Sequence, residues 1–178
     1  LESIGDYGFY LATKLEYINL PDSVKTIGIW AFYENDALTT IVLPASLKIA
    51  QDYMFYECNK LIALDINSFN TSKVTDMGNL FYRCYDLSEL DLSNWDVSSL
   101  TNAYHMFAVC SNLTTVYAQN WSEMVPAEFE DDNEFYGGIF VNCISLSGAI
   151  DYSHDNDGYG IKWANHDTGY FTDPDLRP

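Results

Sequence analysis

One phenylalanine recurs along this chain at a spacing that leaves few folds open. Phe9, Phe32, Phe55, Phe81, Phe107 and Phe140 are separated by 23, 23, 26, 26 and 33 residues. Six residues after each comes a leucine: Leu15, Leu38, Leu61, Leu87, Leu113 and Leu146. Three further on stand Ile18, Ile41, Leu64, Leu90, Val116 and Ala149, and two beyond those Leu20, Leu43, Ile66, Leu92, Ala118 and Asp151. Apolar positions two apart are the signature of a short strand with one face inward. A unit this small cannot bury that face alone, so successive turns must stack and pair their strands in parallel. The spacing therefore predicts a right-handed parallel β-solenoid of about six coils. Pro21 and Pro44 follow two of the strands, where a residue without an N–H donor ends the pairing.

The residues around each Phe follow another rule. Gly8, Ala31, Met54, Leu80, Met106 and Ile139 precede it, and Ile4, Ile27 and Ala50 stand five before it in the 23-residue copies. At about 100° per residue these positions share one side of a helical turn with the Phe and the residue three after it. A short helix or 3₁₀ turn is expected on the convex side of each coil.

The copies come in two forms, and both resemble a known family. Across residues 1–66 the pattern I-x-x-x-A-F-x-x-x-x-x-L-x-x-I-x-L-P resembles the BspA-type (Treponema pallidum class) leucine-rich repeat. The run Asp91-Leu92-Ser93-Asn94-Trp95-Asp96-Val97-Ser98-Ser99-Leu100-Thr101-Asn102, leading into Met106-Phe107-x-x-Cys110, is similar to the companion repeat of bacterial surface proteins. The tail Ala164-Asn165-His166-Asp167-Thr168-Gly169-Tyr170-Phe171 is similar to the end of such proteins from Bacteroides-like gut bacteria. The resemblance implies a leucine-rich-repeat parallel β-solenoid over residues 1–150, with 23-residue copies in 1–66 and longer ones in 67–150. It also implies an extracellular, cell-surface protein of the adhesin kind, with no enzyme activity, no cofactor and no fixed binding motif. Residues 151–178 lose the register, and Ile161, Trp163, Tyr170 and Phe171 suit a C-terminal cap. The start at Leu1, in mid-pattern and without a cleavable leader, reads as a mature or trimmed chain with its signal or anchor elsewhere.

Charge narrows the partners. The 178 residues carry 8 Lys+Arg against 26 Asp+Glu, a formal charge of −18. Twelve of those acids lie in residues 122–178 against Lys162 and Arg177, so −10 of the total sits in the tail and in an acidic insertion near 123–138. Such a balance repels phosphate backbones and anionic bilayers, which excludes nucleic acid as a partner. No run approaches the roughly 18 apolar residues of a membrane span, so no direct membrane insertion is expected.

Cys58, Cys84, Cys110 and Cys143 each stand three residues after the repeat Phe. They lack the paired spacing of zinc ligands. In-register side chains on stacked rungs point parallel, so a column of buried free thiols is expected over disulfides. His105, His154 and His166 occupy unrelated settings, and no nucleophile elbow, zinc helix or phosphate loop is present. In Ser153–Gly160 the aspartates Asp155 and Asp157 alternate as in a calcium loop, but Ser153 and Ala164 stand where the first and last ligands belong. It reads as a turn, and no metal site is assigned.

Two surfaces remain as binding candidates for a protein or glycan on a host or neighbouring cell. One is the concave sheet, whose outward columns are Tyr17, Thr40, Ala63, Glu89, Thr115 and Asn19, Val42, Asp65, Asp91, Tyr117. The other is an aromatic stripe on the convex side: Tyr7, Trp30 and Tyr53 two before the Phe, with Tyr10, Tyr33, Tyr56 and Tyr82 one after. Such rings suit protein contacts and stacking on sugars. They equally suit packing flat on the rung below, which would make the chain a passive stalk.

Overall fold

The computed structural model describes residues 1–44, 47, 53–66, 69–119, 121, 138–147 and 171–176. The inward positions of the repeat make one continuous core. Phe32, Phe55, Phe81, Phe107 and Phe140 are fully buried, as are the leucines six residues after each of them. Their rings stack from coil to coil at 5.2–5.9 Å with interplanar angles of 3–10°, starting from half-buried Phe9. Phe171 meets this column edge-on, 5.8 Å from Phe140 and 6.5 Å from Phe107.

The strands fall where the L-x-x-I-x-L spacing puts them, and all pair in parallel. β2 (Tyr17–Asn19) lies in register with β4 (Thr40–Val42), and a bridge carries the ladder to Ala63. β5 (Glu89–Asp91) pairs with β6 (Thr115–Tyr117), and Tyr117 bridges to Thr172. Among the described residues no strand pairing joins Ala63–Asp65 to Glu89–Asp91, so the described sheet is split between coils 3 and 4. The last ladder bond there is Ser88 N–H to the Ile62 carbonyl, at 3.4 Å. Beyond it the Trp95 indole takes the Ile66 carbonyl at 3.0 Å. The split falls where the first 26-residue copy begins. Phe69, Trp95 and Trp121 form an extra aromatic stack there, at 6.3–6.4 Å, that the 23-residue copies lack. A second ladder, not foreseen, pairs β1 (Ser3–Ile4) with β3 (Thr26–Ile27) and recurs as a bridge between Asp76 and Asn102.

The convex segments are not the expected helices. Among the described residues each is a chain of turns with a left-handed residue two before and two after the repeat Phe. These are Tyr7 and Leu11, Trp30 and Glu34, Tyr53 and Glu57, Asn79 and Arg83, His105 and Val109, Gly138 and Asn142, all with φ of 52–68°. The reason lies in the N–H accounting. In coil 1, Gly8, Tyr10 and Ala12 donate to carbonyls three residues back, while Tyr7, Phe9 and Leu11 donate to Ile29, Ala31 and Tyr33 of coil 2 at 2.8–3.1 Å. Asn79, Phe81 and Arg83 donate in the same way to Tyr104, Met106 and Ala108. A helix would spend its donors internally and leave nothing to hold one coil to the next. The left-handed residues turn alternate N–H groups along the solenoid axis.

The four cysteines are buried and unbridged. Each thiol donates to the carbonyl of the Phe one coil earlier: Cys58 to Phe32, Cys84 to Phe55, Cys110 to Phe81 and Cys143 to Phe107, at 2.8–3.1 Å. Asn35, at the same repeat position, reaches Phe9 through Nδ2 at 2.8 Å, and its Oδ1 is buried without a partner. Burial pushes the Cys58 and Cys143 thiols up to about 12 and raises Cys84 and Cys110 well above their usual value. These are structural donors, not nucleophiles.

Candidate functional site: the convex aromatic ladder

The left-handed geometry aims two side-chain columns outward, and the aromatic residues occupy both. Tyr10, Tyr33, Tyr56 and Tyr82 stack on one another at 4.7–5.0 Å, within 21° of parallel. Alongside, Tyr7 lies 6.0 Å from Trp30, and Trp30 lies 4.5 Å from Tyr53. The two columns touch, with Trp30 4.9 Å from Tyr33 and Tyr53 5.6 Å from Tyr56. Tyr7 and Tyr10 are 53% and 40% exposed, and the later rings are half-buried by their neighbours. The rings pack flat on the next rung, and their outer edges stay accessible. Sequence reasoning stopped the stripe at Tyr82, but His105 continues it at 5.7 Å and Tyr104 lies 3.9 Å from His105. Burial holds the His105 imidazole below its usual range.

Charges border this ladder in a column that the sequence reading passed over. Two residues after each Phe stand Leu11, Glu34, Glu57, Arg83, Val109 and Asn142. Arg83 Nη1 bonds Glu57 Oε1 at 2.7 Å, and its guanidinium carbon lies 5.1 Å from the centre of the Tyr82 ring. Glu34 stands beside Tyr33 in the same turn. Burial, followed by these carboxylates, lifts Tyr33 above the ordinary tyrosine range and Tyr56 to about 12, so both hydroxyls stay protonated at any physiological pH. A charge-by-column reading beside the aromatic one would have found Glu34, Glu57 and Arg83.

The concave side carries the other candidates. Tyr17 is 55% exposed, and Val42, Thr40, Ala63 and Glu89 are exposed with it. Thr40, Ile41, Ala63, Leu64, Asp65, Glu89 and Asp91 line an open depression at the split in the sheet. Tyr117 does not belong to this surface: it is 6% exposed, because residues 171–172 return beside β6 and cover it. Thr172 N–H donates to the Val116 carbonyl at 2.8 Å and closes that edge.

Among the described residues no three His, Cys, Asp or Glu side chains converge as a metal-holding group. No helix among them is long and apolar enough to cross a membrane. The insertion from 123 to 137, the Ser153–Gly160 loop, His154, His166 and most of the expected cap lie outside the described residues.

The family model for the BspA type leucine-rich repeat region matches residues 2–136 in six copies. No curated protein matches the sequence significantly. Among solved structures, a leucine-rich repeat protein from Bacteroides ovatus aligns with a TM-score of 0.52 and 16% identity over 83% of this chain and 58% of its own. A leucine-rich cell surface protein from Faecalibacterium prausnitzii aligns at 0.54 and 22%, over 83% of this chain and 42% of its own. The T. pallidum leucine-rich repeat protein aligns at 0.51 and 20%, over 89% and 78%. The chain thus spans about half the length of the first two, and at these identities the likeness is one of fold.

Proposed function

The chain belongs to the BspA-type leucine-rich repeat family, and on that premise we propose that it is a non-enzymatic recognition module displayed on a bacterial cell surface. It binds a protein or glycan of a host or neighbouring cell. One observation carries this reading. The position after the repeat Phe is tyrosine in Tyr10, Tyr33, Tyr56 and Tyr82 but Ala108 and Val141 in the later coils, with the same turn retained. The scaffold does not require an aromatic ring there, so four in succession beside Tyr7, Trp30 and Tyr53 mark a surface kept for contact. Tyr17 on the concave side is the second exposed ring offered to a partner.

The coplanar stacking of Tyr33 on Tyr56, at 4.7 Å and 8°, supports a second reading. In it the ladder only adds cohesion to a stalk that displays another domain. A panel of host matrix proteins and a glycan array, probed with the wild-type chain and a Trp30→Ala/Tyr33→Ala variant, separates the two. Binding that the folded variant loses supports recognition through the convex ladder. Binding that it keeps moves the site to the concave sheet. No binding by the wild type favours the stalk.

A further inference from the structure

We infer that the convex ladder takes an arginine-bearing segment of a partner protein, with the Glu34 carboxylate receiving a guanidinium; the inference rests on the recognition reading above. The molecule contains its own example of the contact. Arg83 reaches from coil 4 to Glu57 of coil 3 at 2.7 Å, with its guanidinium carbon 5.1 Å from the Tyr82 ring centre. Glu34 stands one coil earlier at the same repeat position and in the same left-handed backbone, φ 52° against 55° for Glu57 and 59° for Arg83. Its neighbours in that column are Leu11 and Glu57, neither of them a cation. Among the described residues no ion pair reaches Glu34. Glu34 therefore has the acceptor and the adjoining tyrosines, Tyr33 and Tyr56, but no guanidinium.

Two further observations select the occupant. Tyr33 and Tyr56 are each stacked on both faces at 4.7–5.0 Å, so a sugar finds no open ring face beside Glu34. The chain carries −18 overall, which draws a basic segment toward it. A planar guanidinium can bond a carboxylate with two donors while its edge meets the outward rims of the tyrosine rings, and an ammonium presents no such planar pair of donors.

The test uses the full chain and a fluorescein-labelled nonapeptide of alternating Arg and Gly, followed by fluorescence anisotropy at low salt, with the Lys-for-Arg peptide alongside. Glu34→Gln should weaken the Arg peptide by about tenfold, the loss of one charge-assisted pair. Glu2→Gln, which removes the same charge from an exposed site outside both candidate surfaces, should change it by less than about twofold. The Lys peptide should bind several-fold more weakly than the Arg peptide. Equal losses from Glu34→Gln and Glu2→Gln, or equal binding of the two peptides, would mean general attraction to an acidic protein and would overturn the inference. If Glu34→Gln still captures the wild-type ligand from the matrix and glycan panel, the recognition reading stands and this assignment falls.

Discussion

Replacing Phe81 with alanine tests whether stability in this molecule comes from two-sided stacking. Phe81 is fully buried and lies between Phe55 and Phe107, 5.8 Å from each and within 4° of parallel. Its truncation removes the ring's transfer energy, leaves a cavity and ends two ring contacts, a cost of about 4 kcal/mol. Phe9 occupies the same repeat position but is half-buried, with Phe32 as its single neighbour in the column at 5.2 Å. Phe9→Ala should cost about 1–2 kcal/mol. For a chain of this size a urea m-value near 2 kcal/mol/M places the midpoint shifts at about 2 M for Phe81→Ala and under 1 M for Phe9→Ala. Urea unfolding followed by tyrosine fluorescence and far-ultraviolet circular dichroism measures both. Equal shifts would refute the argument, because they would mean that the column is not stabilised by neighbours on both sides. Two transitions in Phe81→Ala, against one in the wild type, would agree with it and show the array dividing at the damaged coil.

Other consequences are checked in the same way. Asn35→Cys replaces a side chain whose Oδ1 is buried without a partner by the thiol used in the four later coils, and should raise stability by about 1 kcal/mol in urea unfolding. Val109 holds φ at 65°, a costly angle for a β-branched residue, and Val109→Gly should stabilise by about 0.5–1 kcal/mol; a loss above that size would show that its side-chain packing matters more than the strain. The thiols make stability pH-dependent with a definite sign. Their folded pKa values lie above the usual value of 9.0, so the unfolded chain gives up protons first as pH rises through that value. Stability should be level below about pH 8 and then fall, by up to about 1.4 kcal/mol per pH unit per thiol. Raised Tyr33 and Tyr56 add to the fall from about pH 10. Cys84→Ala should flatten the slope between pH 9 and 10 by about a quarter, and an unchanged slope would remove the thiols from the account. With native protein at pH 8 a thiol reagent should find no reactive cysteine, and four after denaturation.

The strands were legible because their alternation is local: Leu15, Ile18 and Leu20 announce an inward face whatever lies elsewhere. The thiol column was legible for the same reason, since Cys58, Cys84, Cys110 and Cys143 keep one distance from one Phe. The turns were not, because two backbones produce the same inward positions. A helix and a chain of turns both bury the residues five before, one before and three after the Phe, and only the donor accounting separates them. Nothing in Trp30, Leu11 or Val109 as residue types signals a left-handed backbone, which favours glycine or asparagine. Tyr117 failed for a different reason. Its alternation points it outward, and residues some 55 positions later cover it. As for the candidate site, the ring columns were readable and their partners were not. The rings' neighbours, Glu34 and Arg83, gain meaning only when successive coils lie beside one another.

The split between coils 3 and 4 has a mechanical consequence. On the convex side the two coils are tied by Tyr53 to Gly78, Phe55 to Leu80 and Glu57 to Tyr82, three N–H bonds of 2.7–3.3 Å, and by the Arg83–Glu57 bridge. On the concave side, among the described residues, the Ser88 N–H and the Trp95 indole reach back to the Ile62 and Ile66 carbonyls. The described ties between these coils are denser along the convex face than along the concave one. A load that bends the array there would be carried first by the convex bonds and the aromatic ladder beside them, across from the depression between Asp65 and Asp91.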